Sequence, residues 1–140
     1  MKYDYFIFGR WRNRNNVGDL VKKLRARGNS VYCFLDGQST DVVFEDPEES
    51  MKKFEAIPNW REDAYVRRVY EDDMTGLKES RSFVMLLPAG KSCHIEAGVA
   101  FGMGQHLILI GEQLEAESLY LIFHEVSPDV GSFLASERKP

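Results

Sequence analysis

The sequence lacks the features of several large classes of protein. It has only two cysteines in 140 residues, Cys33 and Cys93, which is too few for a disulfide framework. No apolar run approaches the roughly 18 residues of a membrane-spanning helix. The short apolar stretch at the N-terminus carries Asp4, so a signal peptide is not predicted. We therefore expect a soluble, cytoplasmic protein.

The sequence also has no excess of basic residues. Its formal net charge is -4, whereas a general nucleic-acid binder usually carries a basic patch or stripe. A small anionic ligand remains compatible, since a few local arginines can hold one. The 44% hydrophobic and 29% charged residues are an ordinary globular balance. We expect one domain over residues 1–140, a small-molecule partner, and neither nucleic acid nor membrane as a partner.

Apolar runs and helical spacings alternate along the chain. Strands are predicted at residues 3–8, 30–35, 82–87, 106–110 and 118–123. Helices are predicted from a cap at Asn15 or Asn16 to Gly28, then at 47–57, 60–80, 93–104 and 129–137. Residues 38–58 are either a lid over the site or a plain excursion. Alternation of this kind predicts a parallel sheet with right-handed crossovers.

Ligands of open parallel sheets bind at the carboxyl ends of the strands. Three segments follow such ends: residues 9–16, the residues from 36 onward, and residues 88–96. The last segment reads as strand, glycine turn and helix. Backbone N–H groups near Gly90 and Ser92 are suited to a phosphate or a sugar oxygen. The spacing of a Walker loop is absent.

Glu96 is the first candidate for chemistry, since it falls in about the first turn of this helix. The helix dipole stabilises a carboxylate there, so a structural role is an equal alternative. Small neighbours, including Ala97 and Gly98, let the helix pack close to the sheet. A carboxylate at this place can attack an anomeric carbon.

Asp72 and Asp73 lie on the long helix that precedes the third strand. Acidic pairs on helices usually face solvent. However, Met74 and Leu77 mark the buried face, and Asp73 lies beside it. Asp73 could therefore protonate a leaving base or bind the sugar.

The loop after the first strand holds three arginines in five residues, Arg10, Arg12 and Arg14. It is either a basic surface loop or a phosphate clamp, since guanidinium groups match phosphate geometry. Trp11 could stack on a base. Among the histidines, His94 could line the site, whereas His106 and His124 are interpreted as structural. No ligand cluster has metal spacing, and a catalytic pair of Cys93 with His94 is not favoured.

Three short motifs stand out: Phe8-Gly9-Arg10 after the first strand, Asp73-Met-Thr-Gly-Leu77, and Glu96-Ala-Gly98-Val-Ala100. Together they resemble the nucleoside 2-deoxyribosyltransferase-like superfamily, which includes 2′-deoxynucleoside 5′-monophosphate N-glycosidases. The spacing between the two acidic residues is close to that of the family. The resemblance covers nearly the whole chain in element order. The turn before Glu96 departs from the usual acidic or Gly-Val-Gly type.

The resemblance implies a fold, a chemistry and a site. The fold would be a flavodoxin/Rossmann-like three-layer sandwich with a five-stranded parallel sheet, in a homodimer or larger homo-oligomer. Glu96 would be the catalytic nucleophile that forms a glycosyl-enzyme, and Asp73 would assist the base or orient the sugar. No metal or organic cofactor would be needed. The substrate-binding residues would be Gly9, Arg10, Trp11, Arg12, Tyr70, Gly90, Ser92 and His94.

The expected function is cleavage of the N-glycosidic bond of a nucleoside or a nucleoside 5′-monophosphate, with transfer of the sugar to another base or to water. Two alternatives stay open. One is an NAD or nucleotide glycohydrolase similar to TIR domains, which also use a glutamate. The other is a catalytically silent nucleotide-binding module, because fold alone does not establish an activity.

Overall fold

All five strands of the sheet run parallel. The computed structural model describes residues 1–36 and 46–137. The strands are β1 (Tyr3–Phe8), β2 (Val31–Cys33), β3 (Ser80–Leu86), β4 (His106–Ile110) and β5 (Glu125–Ser127). Their order in the sheet is β2-β1-β3-β4-β5. This confirms the predicted parallel five-stranded α/β fold.

Helices cover both faces of the sheet, because the central strands carry apolar side chains on each side. The helices are α1 (Arg14–Ala26), α2 (Pro47–Glu55), α3 (Ala64–Lys78), α4 (Lys91–Gly102) and α5 (Val130–Ser136). One core contains side chains of α1 and α5, such as Leu20 and Phe133. The other contains Leu77 of α3 and Ala97 of α4. The middle strands contribute to both.

Local signals account for most helix ends. Gly28 follows the C-cap of α1 with φ at 90°, a conformation that favours glycine. The Asp63 carboxylate accepts hydrogen bonds from two backbone N–H groups at the start of α3. Asp129 caps α5 in the same way, accepting from the Ser132 N–H. The predicted positions of these helices are therefore confirmed to within a few residues, although residues 60–62 form a separate 3₁₀ turn before α3.

The predicted cap of α1 and the predicted fifth strand were wrong. Neither Asn15 nor Asn16 caps α1, which begins at Arg14; the Asn16 amide donates instead to Asn13 Oδ1. Residues Ser118–Ile122 form a 3₁₀ helix and not the fifth strand. Their apolar, β-prone character misled the prediction: Leu119 and Leu121 are 71% and 88% exposed, and the Glu117 side chain accepts from the Leu119 N–H. The true edge strand is the short β5.

The second strand is shorter than predicted, because a turn from Asp36 N to Cys33 O ends it. Of residues 38–58, residues 38–45 lie outside the described residues. The rest form α2 and the segment that follows it. Within residues 1–36 and 46–137, no helix is long and apolar enough to cross a membrane.

Candidate active site

Two acidic side chains from different helices, Asp73 and Glu96, lie near enough to each other to interact electrostatically. Asp73 lies in the third turn of α3, and Tyr32 of β2 donates a 3.1 Å hydrogen bond from its hydroxyl to Asp73 Oδ1. Glu96 lies on the buried face of α4 and is only 9% exposed. It sits in the second turn, not in the first, because α4 begins at Lys91 and not at Cys93. Within the part of the chain that the structure describes, Glu96 Oε2 is buried with no hydrogen-bond partner.

The two carboxyl groups share one electrostatic environment. Burial first, and then the nearby Asp73 carboxylate, raise the pKa of Glu96 to about 9. Burial raises the pKa of Asp73 to about 6; the bond from Tyr32 lowers it and the Asp72 charge raises it. Glu96 therefore lies where burial raises its pKa, and not at the predicted first-turn position, where the helix dipole would lower it. Between about pH 6 and pH 9 the pair holds one proton.

A cavity of about 470 Å³ opens at the carboxyl ends of β1 and β2, next to this pair. Its described lining is mainly aromatic and aliphatic, with three aspartates and one lysine. The lining residues are Phe8, Trp11, Tyr32, Phe34, Asp36, Ser50, Met51, Lys53, Phe54, Ile57, Tyr65, Val69, Asp72 and Asp73. Glu96 is not among them, so Asp73 is the member of the pair that borders the cavity.

One wall of the cavity is a group of aromatic rings. Phe8 and Phe34 stack with their centroids 4.4 Å apart, and Trp11 lies 6.0 Å from Phe34. Trp11 Nε1 is buried, and no described residue accepts its hydrogen. A planar heteroaromatic ring is the kind of ligand that such a wall binds.

The three arginines of the first loop have different surroundings. Arg12 donates a 2.8 Å bond to Glu48 of α2 and so ties the loop to that helix. The Arg14 guanidinium lies 5.3 Å from the centre of the Trp11 ring. Arg10 extends toward the first residues of α4, where a Cβ on Gly90 would be 3.8 Å from Arg10 Cγ. Only Arg10 therefore lies at the turn that precedes Glu96.

Gly9 and His94 of the predicted site take part in local packing and hydrogen bonding. A Cβ on Gly9 would be 2.7 Å from Val17 and 3.2 Å from the Leu86 carbonyl, so the close packing of loop, helix and strand requires glycine there. His94 Nδ1 donates to the Gly90 carbonyl oxygen at 2.7 Å. Its Nε2 lies 2.8 Å from the Tyr120 hydroxyl. Both ring nitrogens of His94 are thus engaged in bracing the turn.

The structure does not bring every predicted residue together. Tyr70 is 63% exposed and, among the described lining residues, is absent from the cavity. Ser92 is exposed in the first turn of α4. Sequence reasoning missed Tyr32, Phe34 and the contribution of α2. The signal for Tyr32 was a tyrosine at the centre of a strand, which is more often a core residue.

The structure of the chain is similar to solved structures of known proteins. No protein-family model and no curated protein match the chain. The 2-deoxyribosyltransferase of Bacillus psychrosaccharolyticus is 15% identical, with 96% of this chain and 91% of that chain covered and a TM-score of 0.64. The CMP N-glycosidase of Clostridium botulinum is 19% identical, with 94% and 93% covered and a TM-score of 0.50.

The chain has the nucleoside 2-deoxyribosyltransferase-like fold. Both of these neighbours share the deoxyribosyltransferase-like architecture over almost their whole length. The fold predicted from the three short motifs is therefore confirmed, although sequence identity is low throughout. The position of Asp73 at the edge of the cavity, near the carboxyl ends of the strands, agrees with the general rule for ligand sites in parallel sheets.

Proposed function

We propose that this protein cleaves the N-glycosidic bond of a nucleoside or a nucleoside 5′-monophosphate and passes the sugar to water or to a second base. One observation carries the proposal: Asp73 borders an aromatic cavity of about 470 Å³ at the carboxyl edge of the sheet and interacts electrostatically with the buried Glu96. The names of the two structural neighbours, a deoxyribosyltransferase and an N-glycosidase, support the same class of reaction.

The single proton that Asp73 and Glu96 share allows one of them to act as a nucleophile and the other as a general acid. Movement of the proton from Glu96 to Asp73 produces a carboxylate at Glu96 and a carboxylic acid at Asp73. Glu96 then forms a bond to the anomeric carbon while the C–N bond breaks, and the released electron pair takes the Asp73 proton on the base nitrogen. The unpartnered Glu96 oxygen is the atom available for this attack.

Release of the sugar reverses these roles. The Asp73 carboxylate removes a proton from water, or from the N–H of an acceptor base, as that group attacks the anomeric carbon. The bond to Glu96 breaks and its electron pair returns to the carboxylate. Two displacements at one carbon retain its configuration. The choice between hydrolysis and transfer then depends on which acceptor enters the cavity.

The aromatic wall supports a nucleobase as the leaving group. Phe8, Phe34 and Trp11 form that wall, and Asp73 borders the same cavity. A base stacked there would place its glycosidic nitrogen toward the acidic pair. Catalytic contacts of this kind often tighten only when substrate binds, so the role of Glu96 is compatible with its position outside the cavity lining.

We predict a bell-shaped pH dependence of kcat/KM. Below about pH 6, Asp73 takes a second proton and the pair can no longer supply an ionised Glu96. Above about pH 9, the pair loses its last proton and the base has no acid. Activity should therefore fall about tenfold per pH unit on each side of the plateau. Initial rates from pH 4.5 to 10.5 would check this, and a flat profile across both limbs would contradict the shared-proton mechanism.

Arg10 supports a 5′-monophosphate over a free nucleoside. It lies at the turn before α4, and the first N–H groups of a helix, which have no partner within the helix, are suited to binding a phosphate. We predict that Arg10→Ala raises KM for a deoxynucleoside monophosphate by about 10- to 100-fold, the range expected for a lost charge-assisted hydrogen bond. The KM for the matching nucleoside should change little. Arg67→Ala, at an exposed position on α3, is the control. Equal effects of Arg10→Ala on both substrates would exclude a phosphate contact.

The test of the proposed function is chromatographic. The protein is incubated with the four 2′-deoxynucleosides and their 5′-monophosphates, with and without a second free base. Release or exchange of a base supports the proposal. Release of nicotinamide from NAD, with no release from these eight compounds, would favour the NAD glycohydrolase alternative. Tight binding without any turnover would favour the silent binding module.

Three further expectations stay predictions. These are the single domain, the cytoplasmic location and the homo-oligomer. For the oligomer, α4 and the neighbouring segment present exposed apolar side chains that a second subunit could cover, including Ile95, Phe101 and Leu121.

A further inference from the structure

Tyr32 occupies a fixed position between the sheet and α3. Its ring stacks on Phe6 with the centroids 5.1 Å apart and the planes 5° apart, and the Tyr3 ring meets its edge at 5.6 Å. On the other side, a Cβ on Gly76 would lie only 2.6 Å from the Tyr32 ring. The absence of a side chain at Gly76 therefore lets the tyrosine lie against the helix that carries Asp73.

The hydroxyl of this ring has one described partner. It donates a 3.1 Å hydrogen bond to Asp73 Oδ1, from a strand that lies 41 positions earlier in the chain. Packing on both faces leaves the ring little freedom, so the bond fixes one oxygen of the Asp73 carboxyl. The other oxygen remains for a substrate or for the proton shared with Glu96.

We propose that Tyr32 is the positioning residue of the site, because its hydroxyl holds the Asp73 carboxyl in place and favours its ionised form in the resting enzyme. This inference rests on the proposed function, in which Asp73 begins as a carboxylate and then receives the proton of Glu96. It assigns a role to a side chain that need not contact the reacting atoms.

The charges around Asp73 support this role. Asp72 on the same helix raises the pKa of Asp73, whereas the bond from Tyr32 lowers it. Among the described residues, Glu96 of α4 and Cys33 of β2 also interact electrostatically with Asp73, and Asp36 and Lys53 line the same cavity. Burial and the Asp73 charge raise the pKa of Tyr32 itself, so its hydroxyl remains a donor over the working pH range.

We predict that Tyr32→Phe moves the acidic limb of the kcat/KM profile upward by about one pH unit, since a hydrogen bond to a charged group is lost. The alkaline limb should move much less. Tyr5→Phe is the matched control. It removes an equivalent bond, from a half-buried hydroxyl to Glu137 on the opposite face of the sheet, and should leave both limbs unchanged.

A second measurement separates this inference from the proposed function. The protein is labelled with ¹³C-aspartate, and the pH titration of the Asp73 carboxyl is followed by NMR. The Asp73 signal is assigned as the one that is missing from the Asp73→Asn variant. A higher titration midpoint in Tyr32→Phe supports the role of Tyr32, even if no substrate is turned over. An unchanged midpoint overturns that role, even if base release is observed.

A third variant covers the possibility that Tyr32→Phe does not fold. Difluorotyrosine at position 32 keeps the size of the ring but has a more acidic hydroxyl, which donates a stronger hydrogen bond. It should move the Asp73 midpoint downward, in the opposite direction from phenylalanine. A midpoint that stays the same, or rises, would contradict the proposal.

Discussion

Glu96→Gln should reduce base release by about four orders of magnitude or more. The amide keeps the shape and the neutral charge of the protonated glutamate, but it cannot form the ester bond to the anomeric carbon. Substrate binding should change little, since Glu96 does not border the cavity among the described lining residues. The loss should therefore appear in kcat, with KM nearly unchanged.

A control variant and direct detection of the glycosyl-enzyme intermediate complete this experiment. Glu71→Gln changes an exposed glutamate on α3 and should retain the full rate. A slowly hydrolysed substrate, such as one with fluorine at the sugar 2′ position, should add the mass of the sugar to the wild-type protein and none to Glu96→Gln. Retention of more than about a hundredth of the wild-type rate in Glu96→Gln would mean that another group attacks the sugar.

The sequence was sufficient for the parallel α/β fold and for the central strands of the sheet. Central strands such as β1 and β4 are short, uninterrupted apolar runs, and their bounds were predicted to the residue. Asp73 and Glu96 were identified as candidates because short motifs surround them. The edge strand β5 could not be predicted in the same way: it has three residues, and the more apolar segment before it competes for the assignment.

The electrostatics of the site depend on contacts that no local pattern contains. A start of α4 two residues earlier than predicted moves Glu96 into the second turn, where burial raises its pKa. The partner of Asp73 comes from β2, and it fits there only because Gly76 has no side chain. The cavity wall joins β1, β2, α2 and α3, which are distant in sequence.

Glu96→Gln should also stabilise the protein, by an amount that grows with pH. Burial holds the pKa of Glu96 at about 9 in the folded state, against about 4.5 when the side chain is in water. Below about pH 4.5 the residue is protonated in both states, so its ionisation costs no stability. As the pH rises from about 4.5 to about 9, the unfolded chain releases this proton and the folded chain keeps it. Unfolding is therefore favoured progressively.

Glutamine does not titrate, so the stability of the variant does not fall with rising pH for this reason. We expect the two proteins to differ little at pH 4.5 and the variant to be more stable by about 2 kcal/mol or more at pH 8.5, with relaxation around the carboxyl reducing the full effect of the shift. Urea unfolding at both pH values measures this difference, and the slope with urea should be unchanged.

Glu71→Gln should show no such pH-dependent gain, because that side chain is exposed. Equal stability of wild type and Glu96→Gln at pH 8.5 would mean that Glu96 ionises without penalty in the folded protein. The pair would then carry two charges at neutral pH, and the proton that the mechanism assigns to the leaving base would have to come from another group. A stability gain combined with loss of turnover would instead identify Glu96 as a residue kept for chemistry at the expense of stability.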